Sequence, residues 1–205
     1  MGVGRSERYG DGPGQREGAP KGQSYIPPEV KIEKIKMGKN FGKYDDTPIS
    51  ITGPGHADIS PLKHTFKDSQ LSEQLLANLK TLGYKHPTPV QKCALPCILA
   101  GKDIMACAQT GSGKTAAFLL PVISKLIDDN YEAREMNRQL PEAIVVAPTR
   151  ELATQIHADA TLFCKNTKIK TQLVYGGTDV RYQKSVSFLC GKLHFLIVLG
   201  LSCKL

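Results

Sequence analysis

One eight-residue stretch constrains this chain more than any other: Ala108-Gln109-Thr110-Gly111-Ser112-Gly113-Lys114-Thr115. A short apolar run, Ile104-Met105-Ala106-Cys107, precedes it and reads as a buried strand. Ala116-Ala117-Phe118-Leu119-Leu120 follows and reads as helix. Strand, glycine-rich turn and helix are the context that makes Gly-Lys-Thr meaningful as a phosphate-binding loop. Glycines let successive N–H groups turn inward. The helix start adds unpaired N–H groups and the positive end of its dipole. Lys114 supplies a point charge for the outer phosphates, and the Thr115 hydroxyl suits Mg²⁺. Such loops usually open with glycine, and here Ala108 stands there. The alternative is a glycine-rich turn with no ligand.

The stretches on either side say what surrounds this loop. Leu71, Leu75, Leu76, Leu79 and Leu82 recur at helical spacing, and Gly83 sits where that helix would stop. In Tyr84-Lys85-His86-Pro87-Thr88-Pro89-Val90-Gln91, Thr88 reads as a helix cap, Pro89 as the first helical residue and Gln91 as the third. That helix runs to about Gly101, with Pro96 inside it. A helix from about Gly113 to Asp128 contains Pro121. Ala143-Ile144-Val145-Val146-Ala147 reads as a buried strand, and Thr149 as the cap of a helix from Arg150 to about Lys165. Further strands are expected over residues 169–175 and 193–199, with a helix over residues 178–190 between them. Strands alternating with helices imply a parallel, doubly wound α/β sheet with ligands at the carboxyl ends of its strands. The phosphate loop, Pro148-Thr149-Arg150 and Gly176-Gly177 all fall at such ends.

Composition narrows the partners. The net charge is +8, and residues 61–205 carry 18 Lys/Arg against 11 Asp/Glu, so the excess lies in the part expected to fold. That favours an anionic partner such as nucleic acid over a basic tail, the alternative being a mildly basic solvated surface. Six cysteines form no C-x-x-C pair and no zinc spacing. They read as reduced core thiols of an intracellular protein. The longest apolar run, over residues 193–201, is too short to span a bilayer. Residues 1–60 are expected to form a disordered, Gly-, Arg- and Pro-containing extension. Residues 61–198 are expected to form the nucleotide-binding domain, and residues 199–205 a divergent tail.

With these motifs in view, the chain resembles the DEAD-box RNA helicases, and among them the Vasa subfamily. The residues that carry the resemblance are Gly83-Tyr84 with Pro87-Thr88-Pro89-Val90-Gln91, then residues 106–121 around the phosphate loop. Ala147-Pro148-Thr149-Arg150-Glu151-Leu152-Ala153 with Gln155, and Tyr175-Gly176-Gly177, complete the set. Phe66 stands 17 residues before Gly83, where the family has an isolated aromatic. The resemblance implies an incomplete first RecA-like domain that uses ATP and Mg²⁺ and acts on RNA, single-stranded or a short duplex, without sequence preference. Its implied setting is the cytoplasm, ribonucleoprotein granules or the nucleus, with no membrane partner.

It also assigns residues. Lys114 and Thr115 would serve catalysis, with Thr115 on the metal. Residues 108–115 would hold the phosphates. Phe66 and residues 84–91 (Tyr84, Lys85, His86, Pro87, Thr88, Pro89, Val90, Gln91) would hold the base. Within that group Gln91 would read the adenine edge, because an amide complements N6 and N7 together. Pro148, Thr149, Arg150, Gly176 and Gly177 would contact RNA. Other readings stay open: Gln91 as a helix cap, Phe66 and Tyr84 as core aromatics, Arg150 as an ion-pair partner, Gly176-Gly177 as a bare turn.

The departures matter equally. The family's Asp-Glu-Ala-Asp and Thr-Pro-Gly-Arg motifs are absent, and the chain reads Val198-Leu199-Gly200-Leu201-Ser202-Cys203-Lys204-Leu205 instead. Two functions are therefore carried forward. One is an ATP-dependent RNA helicase present as an N-terminal fragment. The other is a nucleotide- or RNA-binding module without turnover. An unrelated P-loop kinase or ATPase is disfavoured by Gln91 and residues 148–153.

Overall fold

The computed structural model describes residues 48–54, 60–62, 64–129, 141–174 and 195–199. Four helices follow the leucine and alanine spacing of the sequence: α1 (Glu73–Leu82), α2 (Pro89–Leu99), α3 (Lys114–Asp128) and α4 (Arg150–Phe163). Three strands, β1 (Ala143–Ala147), β2 (Thr171–Val174) and β3 (Phe195–Leu199), form a parallel sheet in the order β1-β3-β2. A short 3-10 turn, Phe66–Ser69, precedes α1.

Local chemistry sets the helix ends. Gly83 stops α1 in the left-handed region at φ 88°, where a side chain would be strained, and its N–H returns to the Leu79 and Lys80 carbonyls. Thr88 and Gln91 form the reciprocal cap of α2, as the sequence implies. Thr149 accepts from the Leu152 N–H at 3.2 Å and opens α4. Pro96 and Pro121 lie inside α2 and α3, which continue through them. At the far end of α4, Asn78 of α1 donates to the Phe163 carbonyl at 2.8 Å, tying the two helices together.

The core lies between one face of the sheet and the helices. Val145, Ile197 and Leu173 stand in register across β1, β3 and β2 and share that face. Ile197 is buried there, with Val145 and Leu173 packed against Leu119, Leu120, Ile123, Ile156 and Phe163 of the core cluster. The helix α4 spans all three strands, α3 and α1 pack on α4, and α2 packs on α3. The opposite face is open on β1, where Ile144 and Val146 are 59% and 65% exposed.

Several expectations require adjustment. Residues 104–107 are not a buried strand: residues 102–109 have no regular structure and are exposed, Met105 to 91%. A four-residue apolar run becomes a strand only beside a hydrogen-bonded neighbour, and the described sheet places none next to it. Cys107 is therefore exposed, whereas Cys93, Cys97 and Cys164 are buried free thiols. The expected strands over 169–175 and 193–199 shorten to β2 and β3, and α4 ends at Phe163. The expected helix over 178–190, Gly176-Gly177, the tail over 199–205 beyond β3 and the extension up to residue 47 lie outside the described residues.

Candidate nucleotide site

The loop over residues 108–115 turns at two glycines in the left-handed region, Gly111 at φ 79° and Gly113 at φ 85°. Its helix starts at Lys114, with Gly113 at the cap position. Between the glycines, Ser112 is 9% exposed and its Oγ has no hydrogen-bond partner. Lys114 folds back over the loop: its Nζ donates to the Ala108 carbonyl at 2.5 Å and to the Gln109 carbonyl at 2.6 Å. The Lys114 ammonium, the two left-handed glycines and the start of α3 thus lie within one short stretch. Thr110 and Gly111 lie exposed at its rim, and Thr115 is half-buried in the first turn of α3.

Gln91 links this loop to α2. It is 1% exposed, and both ends of its amide are used. Oε1 accepts from the Thr88 N–H at 3.0 Å, and Nε2 donates to the Gly113 carbonyl at 3.0 Å. That carbonyl also accepts the Ala117 N–H at 3.1 Å, closing the first turn of α3. The contact from Gln91 to Gly113 is not legible in the sequence. The only hint is arithmetic: a capping amide spends its oxygen and leaves a buried NH₂ in need of an acceptor.

The other residues assigned to the base fall into two groups. Pro87 and Thr88 are buried under the cap, and Pro89 and Val90 are half-buried in the first turn of α2. Lys85 and His86 are exposed, with His86 Nδ1 3.3 Å from the His64 carbonyl. Phe66 and Tyr84 stand in an aromatic row that runs into the core. Their centroids are 6.0 Å apart and edge-on, and Tyr84 meets Phe163 in the same way at 5.7 Å. Burial drives the Tyr84 phenol far above its ordinary range, with the nearby Asp159 carboxylate adding to the shift.

Asp159 itself gives a pH-dependent prediction. Burial lifts its carboxyl to about 6. A carboxyl with a folded-state pKa above its unfolded value holds more protons in the native state between the two values. Stability therefore falls as pH rises through the window from about 4 to 6, and stays lower above it. Asp159→Asn is expected to melt above the wild type at pH 7, with the gain vanishing below about pH 4. Thermal melts at the two pH values check it, and an unchanged difference would contradict it.

Of the residues assigned to RNA by resemblance, Pro148, Thr149 and Arg150 are exposed at the carboxyl end of β1, where Thr149 caps α4. Arg150 stands in the first turn of that helix.

The fold has known counterparts. The chain belongs to the DEAD/DEAH box helicase family, whose model matches residues 88–199. Among curated proteins it is 45% identical over 171 residues to "ATP-dependent RNA helicase vasa" of Drosophila melanogaster, covering 80% of this chain and 25% of that protein. It is 43% identical over 164 residues to "Probable ATP-dependent RNA helicase DDX4" of Homo sapiens, covering 77% and 22%. Among solved structures it is similar to the RNA helicase Prp28 from Chaetomium thermophilum bound to ADP, with TM-score 0.58, 32% identity, and 68% and 32% of the two chains covered. A DEAD box protein from Methanococcus jannaschii gives TM-score 0.56 at 29% identity, over 67% and 35%. The chain spans about a quarter of the length of the curated relatives it matches.

Proposed function

We propose that this chain is the ATP-binding and RNA-contacting front of an ATP-dependent RNA helicase. The observation that carries the reading is the loop over residues 108–115, with the Lys114 ammonium drawn over two left-handed glycines at a helix start. Two features of this loop support phosphate as its ligand. The Ser112 hydroxyl is buried without a partner, and the carbonyls on Lys114 are neutral acceptors that an anionic oxygen outcompetes. Binding then exchanges two neutral bonds for charge-assisted ones. Thr115 would hold Mg²⁺, which supplies charge neutralisation for the outer phosphates.

The supporting elements act on the same ligand. Gln91, on this reading, serves the base edge as well as the loop. RNA phosphates would meet the exposed start of α4 at Thr149 and Arg150, contacts that position a strand without reading its sequence. Among the described residues no helix is long and apolar enough to cross a membrane. Resemblance to RNA helicases, separately, suggests work on RNA in the cytoplasm, ribonucleoprotein granules or the nucleus.

Binding and turnover separate here, and the second reading rests on a specific observation. The 205-residue sequence contains no Asp-Glu pair, so it offers no acidic motif of the family's kind to hold the metal and position water. The polypeptide as given is expected to bind ADP or ATP and to release no phosphate from ATP, with or without RNA. A phosphate-release assay checks this. RNA-stimulated turnover that disappears in Lys114→Ala would contradict it.

A further inference from the structure

We propose that residues 41–44 of this chain dock in the cavity between α2 and the run 102–109, with Phe41 and Tyr44 as the side chains that fill it. The cavity holds about 480 Å³, inside the range of sites that enclose a ligand. Three stretches line it: residues 48–54, the α2 face with Val90 and Ala94, and the exposed run 102–109. The last of these includes Ala108 and Gln109, so an occupant lies against the first residues of the loop over residues 108–115.

Exposed apolar surface gathers here. Among the described residues six large apolar side chains are exposed, and three of them line this one cavity: Ile49, Ile104 and Met105, at 47%, 42% and 91%. Apolar side chains grouped around one hollow mark a place where another surface packs, whereas scattered ones do not. Met105 suits an aromatic partner, because its sulfur is polarisable and its side chain adapts to a ring. Two charges of opposite sign, Lys102 and Asp103, stand in the same lining.

Continuity and charge name the occupant. The described chain begins at Pro48, and Pro48 is itself part of the cavity wall. The residues just before it read Phe41-Gly42-Lys43-Tyr44-Asp45-Asp46-Thr47. Tyr44 is four residues from that wall and Phe41 seven, an extended reach of at most about 14 and 25 Å. Lys43 complements Asp103, and Asp45 and Asp46 complement Lys102. Aromatic rings bring a large apolar area with few rotatable bonds to freeze. A short tether holds the segment at an effective concentration of about millimolar, which favours it over a second copy of the chain in dilute solution. Docking covers Ile104 and Met105 and braces the run that leads into the loop over residues 108–115. It also sets residues 41–44 apart from the disorder expected of the rest of the extension. The proposal does not rest on nucleotide binding, and its test uses none.

The chain contains no tryptophan, so Phe41→Trp and Tyr44→Trp each create a single fluorescent reporter in the otherwise unaltered 205-residue protein. Emission and acrylamide quenching are read against N-acetyltryptophanamide. Both reporters are expected to emit to the blue of the free amide and to be quenched severalfold less, at a level independent of protein concentration. Met105→Asp, added on the wall opposite residues 48–54, is expected to shift the docking equilibrium about tenfold toward release and to raise the quenching. Ile104→Asp on the same wall should act alike. Both side chains are exposed and outside the core cluster, so neither change reaches the fold, and circular dichroism checks that it has not. Reporters quenched like the free amide in the parent overturn the proposal without recourse to any wall variant. Protection that survives both wall variants overturns it too, since the ring then packs elsewhere. Protection that grows with protein concentration assigns the cavity to a second copy and overturns it as well.

Discussion

Gly113→Ala is expected to destabilise the protein by about 2–4 kcal/mol. Two effects add at this position. The backbone sits at φ 85°, a region that a β-carbon disfavours. The added carbon would also fall 2.5 Å from Gln91 Nε2. A long side chain can usually swing aside from such a contact. Gln91 cannot do so freely, because it is buried and each end of its amide is held. Relief of the clash therefore breaks the bond to the Gly113 carbonyl or shifts the start of α3. Gly111 is the internal control: it has φ 79° but nothing within 4 Å of the added carbon. Gly111→Ala should show only the backbone strain, about 1–2 kcal/mol. Denaturant melts of both variants, alone and with Gln91→Ala, measure the difference. With the amide gone, Gly113→Ala should fall to the level of Gly111→Ala. Equal costs for the two glycine variants in the parent would contradict the clamp.

Gln91→Ala is the second large effect, again about 2–4 kcal/mol. Truncation strips the buried Thr88 N–H of its acceptor, removes one of the two donors on the Gly113 carbonyl and leaves a void under the cap. An unpaired buried donor alone costs about 1–3 kcal/mol. The base-reading role makes a separate demand, since the amide must offer its remaining N–H and lone pair to the adenine edge. On that reading the variant also loses a preference of roughly five- to a hundred-fold for ADP over GDP. Early melting with the preference intact would assign Gln91 to the cap and the clamp alone. Titration of both nucleotides at a temperature where the variant is folded separates the two.

These two residues also show what the sequence can and cannot convey. The cap at Thr88, Pro89 and Gln91 is a local pattern of fixed spacing, and the structure forms it. Gly83 as a helix stop and Thr149 as a helix start are legible for the same reason. The strand that was expected over residues 104–107 is not, because strand formation is settled by neighbours and not by composition. The run Ile104-Met105-Ala106-Cys107 is as apolar as β1, yet β1 has β3 beside it in register and the earlier run has no such partner among the described residues. Contacts between distant stretches are the other blind spot. Nothing in the spacing joins Gln91 to Gly113, 22 residues on, or Asn78 to Phe163, 85 residues on. Phe66 and Tyr84 were legible as base-side or core aromatics, but not their edge-on contact or the row that they complete with Phe163.

The central claim is that residues 108–115 hold nucleotide phosphates, and Lys114 tests it most directly. Its ammonium is bound to two backbone carbonyls and belongs to no core contact, so Lys114→Ala should fold normally. Losing a charge-assisted contact to phosphate should weaken binding about tenfold to a hundredfold. The base does not meet this residue, so ADP and GDP should lose affinity alike. The measurement is calorimetric titration of ADP into the wild type and Lys114→Ala, each first shown to be folded by circular dichroism. Saturable binding by the wild type that falls at least about tenfold in the variant is the predicted result. No binding by a folded wild type, or equal binding by both proteins, would contradict it.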